Sequence, residues 1–123
     1  MGNSARKVLI VDDSRFARLS LKRLISQMRP DWEVFEAESV DQALEVTRDI
    51  QPDFFSVDLN MPERDGFELV EALRADDPAA RIVLVTANIQ TATEDRAKDL
   101  AVPCVNKPVT EESVQELIEG LLG

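Results

Sequence analysis

The sequence predicts an α/β domain whose core is a doubly wound, five-stranded parallel sheet flanked by five helices. Three observations carry this reading. Five short apolar runs alternate with five stretches of helical period at spacings of roughly 20 to 30 residues, as expected for βα units with right-handed crossovers. Two of the runs end abruptly in acid: Val8-Leu9-Ile10-Val11 meets Asp12-Asp13, and Phe54-Phe55-Ser56-Val57 meets Asp58. Buried parallel strands that deliver carboxylates to one sheet edge place them where α/β proteins keep their chemistry. Finally, no internal repeat or low-complexity linker breaks the alternation, and 123 residues suit one domain with a single core.

The elements follow in order. Lys7 to Val11 is the first strand, and Asp13-Ser14 offers a cap for a helix whose apolar positions are Phe16, Leu19, Leu21, Leu24, Ile25 and Met28. Pro30 biases Arg29 away from helix and ends it. Trp32 to Ala37 alternates apolar and acidic residues, which suits an edge strand with one exposed face and Trp32 as partial core. Ser39 caps a second helix bearing Val40, Ala43, Leu44, Val46 and Ile50, and Gln51-Pro52-Asp53 breaks it before the central strand runs to Asp58. A loop containing Pro62 leads to a third helix starting at Asp65 or Gly66, with Phe67, Leu69, Val70 and Leu73 on its apolar stripe. Ile82 to Val85 is the fourth strand, ending at Thr86. The segment 88–100 has only a thin apolar stripe of Ile89, Ala92, Ala97 and Leu100, which predicts a weakly anchored helix. Pro103 to Asn106 is a short last strand, and Val109 or Thr110 opens a helix carrying Val114, Leu117, Ile118, Leu121 and Leu122. Residues 1–5 are expected to be a flexible tail and 6–123 the domain.

Composition excludes several classes of function. A formal net charge of −10 opposes nucleic acid and anionic membranes as partners, because both would be repelled. With no histidine, the chain can build neither a His-ligated zinc site nor a histidine acid/base. Its single cysteine, Cys104, allows no internal disulfide. Met1 to Arg6 begins like a myristoylation signal but has Arg6 where Ser or Thr is wanted, and no signal peptide or membrane-spanning run follows, so a cytoplasmic protein without membrane insertion is expected.

If the first and third strands share one sheet, Asp12, Asp13 and Asp58 converge. Two unit charges ~5 Å apart repel by roughly 3 kcal/mol at an effective dielectric of about 20, so a cation must offset them. A hard divalent ion such as Mg²⁺ suits oxygen donors of this kind.

These residues resemble the receiver domain of two-component response regulators, above all the single-domain chemotaxis type. The resemblance runs from Val8-Leu9-Ile10-Val11-Asp12-Asp13-Ser14 through Asp58-Leu59-Asn60-Met61-Pro62, Asp65-Gly66 and Val85-Thr86-Ala87 to Lys107-Pro108. It implies a flavodoxin-like sheet of order 2-1-3-4-5, an order that general accounts of this fold already give for the chemotaxis regulator and that periodicity cannot supply. It further implies that Asp58 is the phosphoacceptor and that Asp13 and Asp58 ligate Mg²⁺, for which Mn²⁺ can substitute. Asp12 would act through water, and Asn60 through its backbone carbonyl. Thr86 and Lys107 would bind the phosphoryl oxygens, with a cis bond at Lys107-Pro108. Taken singly, these residues have plainer uses: Asp12 or Asp13 as a helix cap, Asp58 as a turn residue, Thr86 as a strand-end hydroxyl, Lys107 as a solvated charge. One departure stands out. The aromatic residue usual three positions before the lysine is Cys104 here, a small thiol that cannot act as a moving ring.

The expected function is therefore a signalling protein, not an enzyme beyond self-phosphorylation and its reversal, which takes a phosphoryl group from a histidine kinase. The resemblance places its output on the face formed by the fourth helix, fifth strand and fifth helix. The partners implied are that kinase and a downstream target or phosphatase protein, in chemotaxis or as a stand-alone adaptor; the protein is expected to be monomeric, with a phosphorylation-dependent dimer left open. The alternative is a Mg²⁺-dependent phosphatase resembling the haloacid dehalogenases, which share a strand-end Asp nucleophile. That family wants an acid two positions later, where this chain has Asn60.

Overall fold

The computed structural model describes residues 6–87 and 90–123. The expected tail of residues 1–5, and Asn88 and Ile89 ahead of the fourth helix, lie outside the described residues. In chain order the elements are β1 (Lys7–Val11), α1 (Arg15–Met28), β2 (Glu33–Ala37), α2 (Val40–Ile50), β3 (Phe54–Asp58), α3 (Gly66–Asp76), β4 (Arg81–Thr86), α4 (Thr91–Asp99), β5 (Cys104–Asn106) and α5 (Glu111–Leu122). All strands pair in parallel in the order β2-β1-β3-β4-β5. The expected fold class is the one observed.

Local chemistry sets the helix starts. Ser14, Ser39, Asp65 and Thr110 each accept a hydrogen bond from an amide in the first turn of their helix, satisfying donors that would otherwise lack a partner. Gln90, ahead of α4, makes no such bond.

Side-chain alternation along the strands splits the core between the two faces of the sheet. Leu9, Val11, Phe55, Val57, Ile82 and Leu84 meet α2 and α3, whereas Val8, Ile10, Phe54, Val83 and Val85 meet α1 and α5. Each large aliphatic side chain so buried stabilises the fold by about 1.5–3 kcal/mol. Trp32, buried just ahead of β2, closes the amino edge against Phe54 with ring centroids 4.8 Å apart.

Three expected core residues are instead exposed: Phe16 at 81%, Leu19 at 47% and Leu122 at 44%. On α1 the inward stripe runs through Ala17, Leu21 and Ile25, and at ~100° per residue Leu19 lies about 200° from Leu21, on the far side. Ala92 of α4 is exposed too, leaving Ala97 as that helix's only buried residue. The thin stripe thus yields the weak anchorage expected of it. Arg96 supplements it by reaching α3, 4.4 Å from the Phe67 ring centroid and 3.3 Å from the Glu71 carboxylate.

Gly66 decides how closely α3 approaches the end of β3. A Cβ there would lie 2.7 Å from the Asp58 carbonyl oxygen and 2.9 Å from Leu59 Cα, both main-chain atoms that cannot swing aside. Only glycine permits this contact, so the loop between Asp58 and Asp65 is held against the sheet.

Candidate functional site

Strands β1 and β3 are neighbours, with Val11 opposite Val57, so Asp12 and Asp58 leave the carboxyl edge of the sheet side by side. Asp12 is fixed on every side. Its amide donates to the Ala37 carbonyl at 3.1 Å, its Oδ1 accepts from the Ser14 amide at 2.9 Å, and its carbonyl accepts from Arg18 Nη1 at 2.7 Å. Lys107, 95 residues later, donates its amide to the Thr86 carbonyl at 2.8 Å and turns its Nζ inward, 2.8 Å from Asp12 Oδ2 and 3.5 Å from Asp58 Oδ1. The Lys107-Pro108 bond is cis, as the resemblance implies.

Asp58 Oδ1 also accepts from the Asn60 amide at 3.3 Å, while Asn60 Nδ2 donates to Thr86 Oγ1 at 3.2 Å. All six residues singled out in the sequence thus meet at one edge. Asp12, Asp58 and Thr86 are buried, Lys107 is half-buried, and Asp13 and Asn60 are exposed.

The electrostatics are unbalanced. One carboxylate oxygen from each of Asp12, Asp13 and Asp58 can be chosen so that all lie within 4.8 Å of one another, against the single ammonium of Lys107. Burial and then the charge of Asp12 push the Asp58 carboxyl up to about 6, with Asp13 adding to the rise and Lys107 and the Asn60 amide opposing it. Burial alone would lower the Lys107 ammonium, but its hydrogen bond to Asp12 and the nearby charges of Asp58 and Asp12 outweigh that and raise it. It therefore stays charged at neutral pH.

Asp13 joins no ion pair among the described residues, so one carboxylate remains uncompensated. A cluster of hard oxygen donors without imidazole or thiolate suits Mg²⁺, and in that sense the residues present fit the ion. Cys104 lies away from this cluster, half-buried at the start of β5, its thiol pushed up by burial and the charge of Glu94.

Sequence reasoning passed over Arg18. Its Nε pairs with Glu36 at 3.0 Å while its Nη1 holds the Asp12 carbonyl, so it ties β2 to the acidic corner. The only available signal was a cation one turn into the first helix.

A doubly wound α/β domain with clustered acids and an inward lysine at its carboxyl edge defines a narrow class of protein. The family model described as the response regulator receiver domain matches residues 8–119, and the chain belongs to that family. It is 34% identical over 115 residues to the chemotaxis protein CheY of Listeria monocytogenes, covering 92% of this chain and 95% of that protein. It is also 37% identical over 115 residues to the sensory transduction protein LytT of Enterococcus faecalis, covering 91% of this chain but 46% of LytT. Among solved structures, the chemotaxis protein CheY4 of Vibrio cholerae superimposes with a TM-score of 0.86 at 25% identity, over 95% of this chain and 98% of that one. Receiver domains bind Mg²⁺ in an acidic pocket, take phosphoryl groups from histidine kinases and act in two-component signalling; they are not conventional enzymes. These likenesses support the receiver reading and not the phosphatase alternative. Asn60 agrees, since its amide has no acidic proton to give a leaving group.

Proposed function

We propose that the protein is a phosphorylation-controlled signalling module with Asp58 as its phosphoacceptor. The observation that carries the reading is a buried strand-end carboxylate, Asp58, faced by two more carboxylates and the Lys107 ammonium. An Asp58 oxygen attacks the phosphorus of the donor; an O–P bond forms, the bond to the donor breaks, and the leaving group departs with its electron pair. Lys107 neutralises charge on the transferred group, and the Thr86 hydroxyl turns from Asn60 to a phosphoryl oxygen in a charge-assisted hydrogen bond. Asp12, Asp13, Asp58 and the Asn60 carbonyl would hold Mg²⁺ or Mn²⁺, which supplies further charge neutralisation at the phosphoryl oxygens. Water then hydrolyses the acyl phosphate and restores Asp58.

The donor is a histidine kinase, and the output passes to a target or phosphatase protein. The likeness to chemotaxis proteins over most of their length supports a role in chemotaxis. No helix among the described residues is long and apolar enough to cross a membrane.

Intact-mass measurement after incubation with acetyl phosphate tests the chemistry. One phosphoryl mass should appear only with Mg²⁺ present, map to Asp58 and decay spontaneously. Label on a serine, or equal label without the ion, would refute it.

The output face consists of α4, β5 and α5. Support comes from the slight anchorage of α4, through Ala97 and the Arg96 contacts, and from Cys104, which is too small to refill the space that Thr86 vacates. The α4 backbone must then shift. Hydrogen exchange in 91–100 should change when beryllofluoride is added, and Thr86→Ala should abolish that response. A change confined to another face would count against this surface.

A further inference from the structure

Beneath Lys107, on the face of the sheet covered by α1 and α5, lies a cavity of about 250 Å³. Its origin is legible in the packing. β3 places Ser56 between Ile10 and Val83 of its neighbours, and α1 presents Ala17 on its inward stripe; two small side chains thus occupy positions that bulkier ones would fill. Ser56 is 1% exposed and lines the cavity. A hydroxyl at a cavity wall offers an occupant both a hydrogen-bond donor and an acceptor.

The lining determines what chemistry fits. Leu21, Val85 and Val109 supply carbon walls, and Phe16, 81% exposed, lines the cavity with an uncovered aromatic ring. Asp12, Asp58 and Lys107 at the polar end belong to the phosphoryl and metal site, and the carbon-walled remainder offers a charged group no partner, so a neutral molecule fits it. The space exceeds the roughly 150 Å³ in which an engineered protein cavity binds benzene.

We infer that this cavity is a binding site for a neutral aromatic molecule of one or two rings carrying a single N–H or O–H. The rings stack against Phe16 and fill the carbon-walled space, while the polar hydrogen meets Ser56. The inference does not depend on phosphoryl transfer at Asp58.

Indole is a suitable probe. Titrated into the full chain and followed by amide nuclear magnetic resonance, it should produce saturable shifts centred on Ala17, Ser56 and Val109. Ser56→Val and Ala17→Met each fill the space from a different side and should weaken binding at least tenfold. Both should melt no lower than the parent and keep their acetyl phosphate labelling, a separate readout that distinguishes failure of this inference from failure of the phosphoacceptor assignment. Shifts that do not saturate, or equal binding by the parent and both folded variants, would overturn the site.

Discussion

Replacing Asp58 by Asn should make the metal-free protein more stable at pH 7.5 by about 2–3 kcal/mol, roughly 10 °C in melting temperature, while abolishing phosphoryl labelling. The reasoning starts from the buried carboxyl, which is pushed up to about 6 by burial and by Asp12. In the unfolded chain it titrates near its ordinary value of 3.8. Below that value both states are protonated and nothing is lost. Between 3.8 and about 6 the folded state holds a proton that the unfolded state has released, so stability falls as pH rises through this window. Above it the full penalty persists, about 3 kcal/mol for a shift of roughly two pH units. An asparagine side chain at this position has the same shape and can still accept from the Asn60 amide, but carries no charge. Urea denaturation of parent and variant across pH checks this, and the gain should vanish near pH 4. A gain unchanged at that pH would mean that packing, not charge, is responsible.

Asp13→Ala should have the opposite character. It should weaken Mg²⁺ binding by at least about 100-fold, more than loss of a supporting outer-sphere partner usually costs, and slow labelling of Asp58 to match. Asp13 is the exposed member of the acidic cluster and the one that no cation among the described residues neutralises, so it is the oxygen donor most available to an incoming ion. Because its charge also contributes to the rise of the Asp58 carboxyl, the metal-free variant should be slightly more stable than the parent. Calorimetric titration with Mg²⁺, paired with denaturation in chelator, separates the two effects. Unchanged affinity would remove Asp13 from the ion's ligands.

The local order of this protein was legible in its residues. Apolar runs of strand length, helical periods, the capping Ser14, Ser39, Asp65 and Thr110, and the breakers Pro30 and Pro52 act within a few residues of one another, so sequence alone determined which element each segment forms. The strand-end acids were legible for the same reason, because a run that must be buried and then meets Asp12 or Asp58 can only surface at the edge of a sheet. The resemblance supplied the strand order and the phosphoryl-binding role of Lys107, neither of which periodicity contains.

Only the tertiary structure decided the rest. Lys107 reaches Asp12 across 95 residues because β1 and β5 end at the same carboxyl edge of one parallel sheet, a consequence of nonlocal pairing that no local pattern encodes. Phe16 and Leu19 satisfied a helical period yet are exposed, since a period gives the spacing of a stripe but not which of two adjoining stripes meets the sheet. The rise of the Asp58 carboxyl and the cavity beside Ser56 likewise arise from residues distant in sequence packing together: one depends on summed charge and lost solvent, the other on volume left unfilled between α1 and three strands of the sheet.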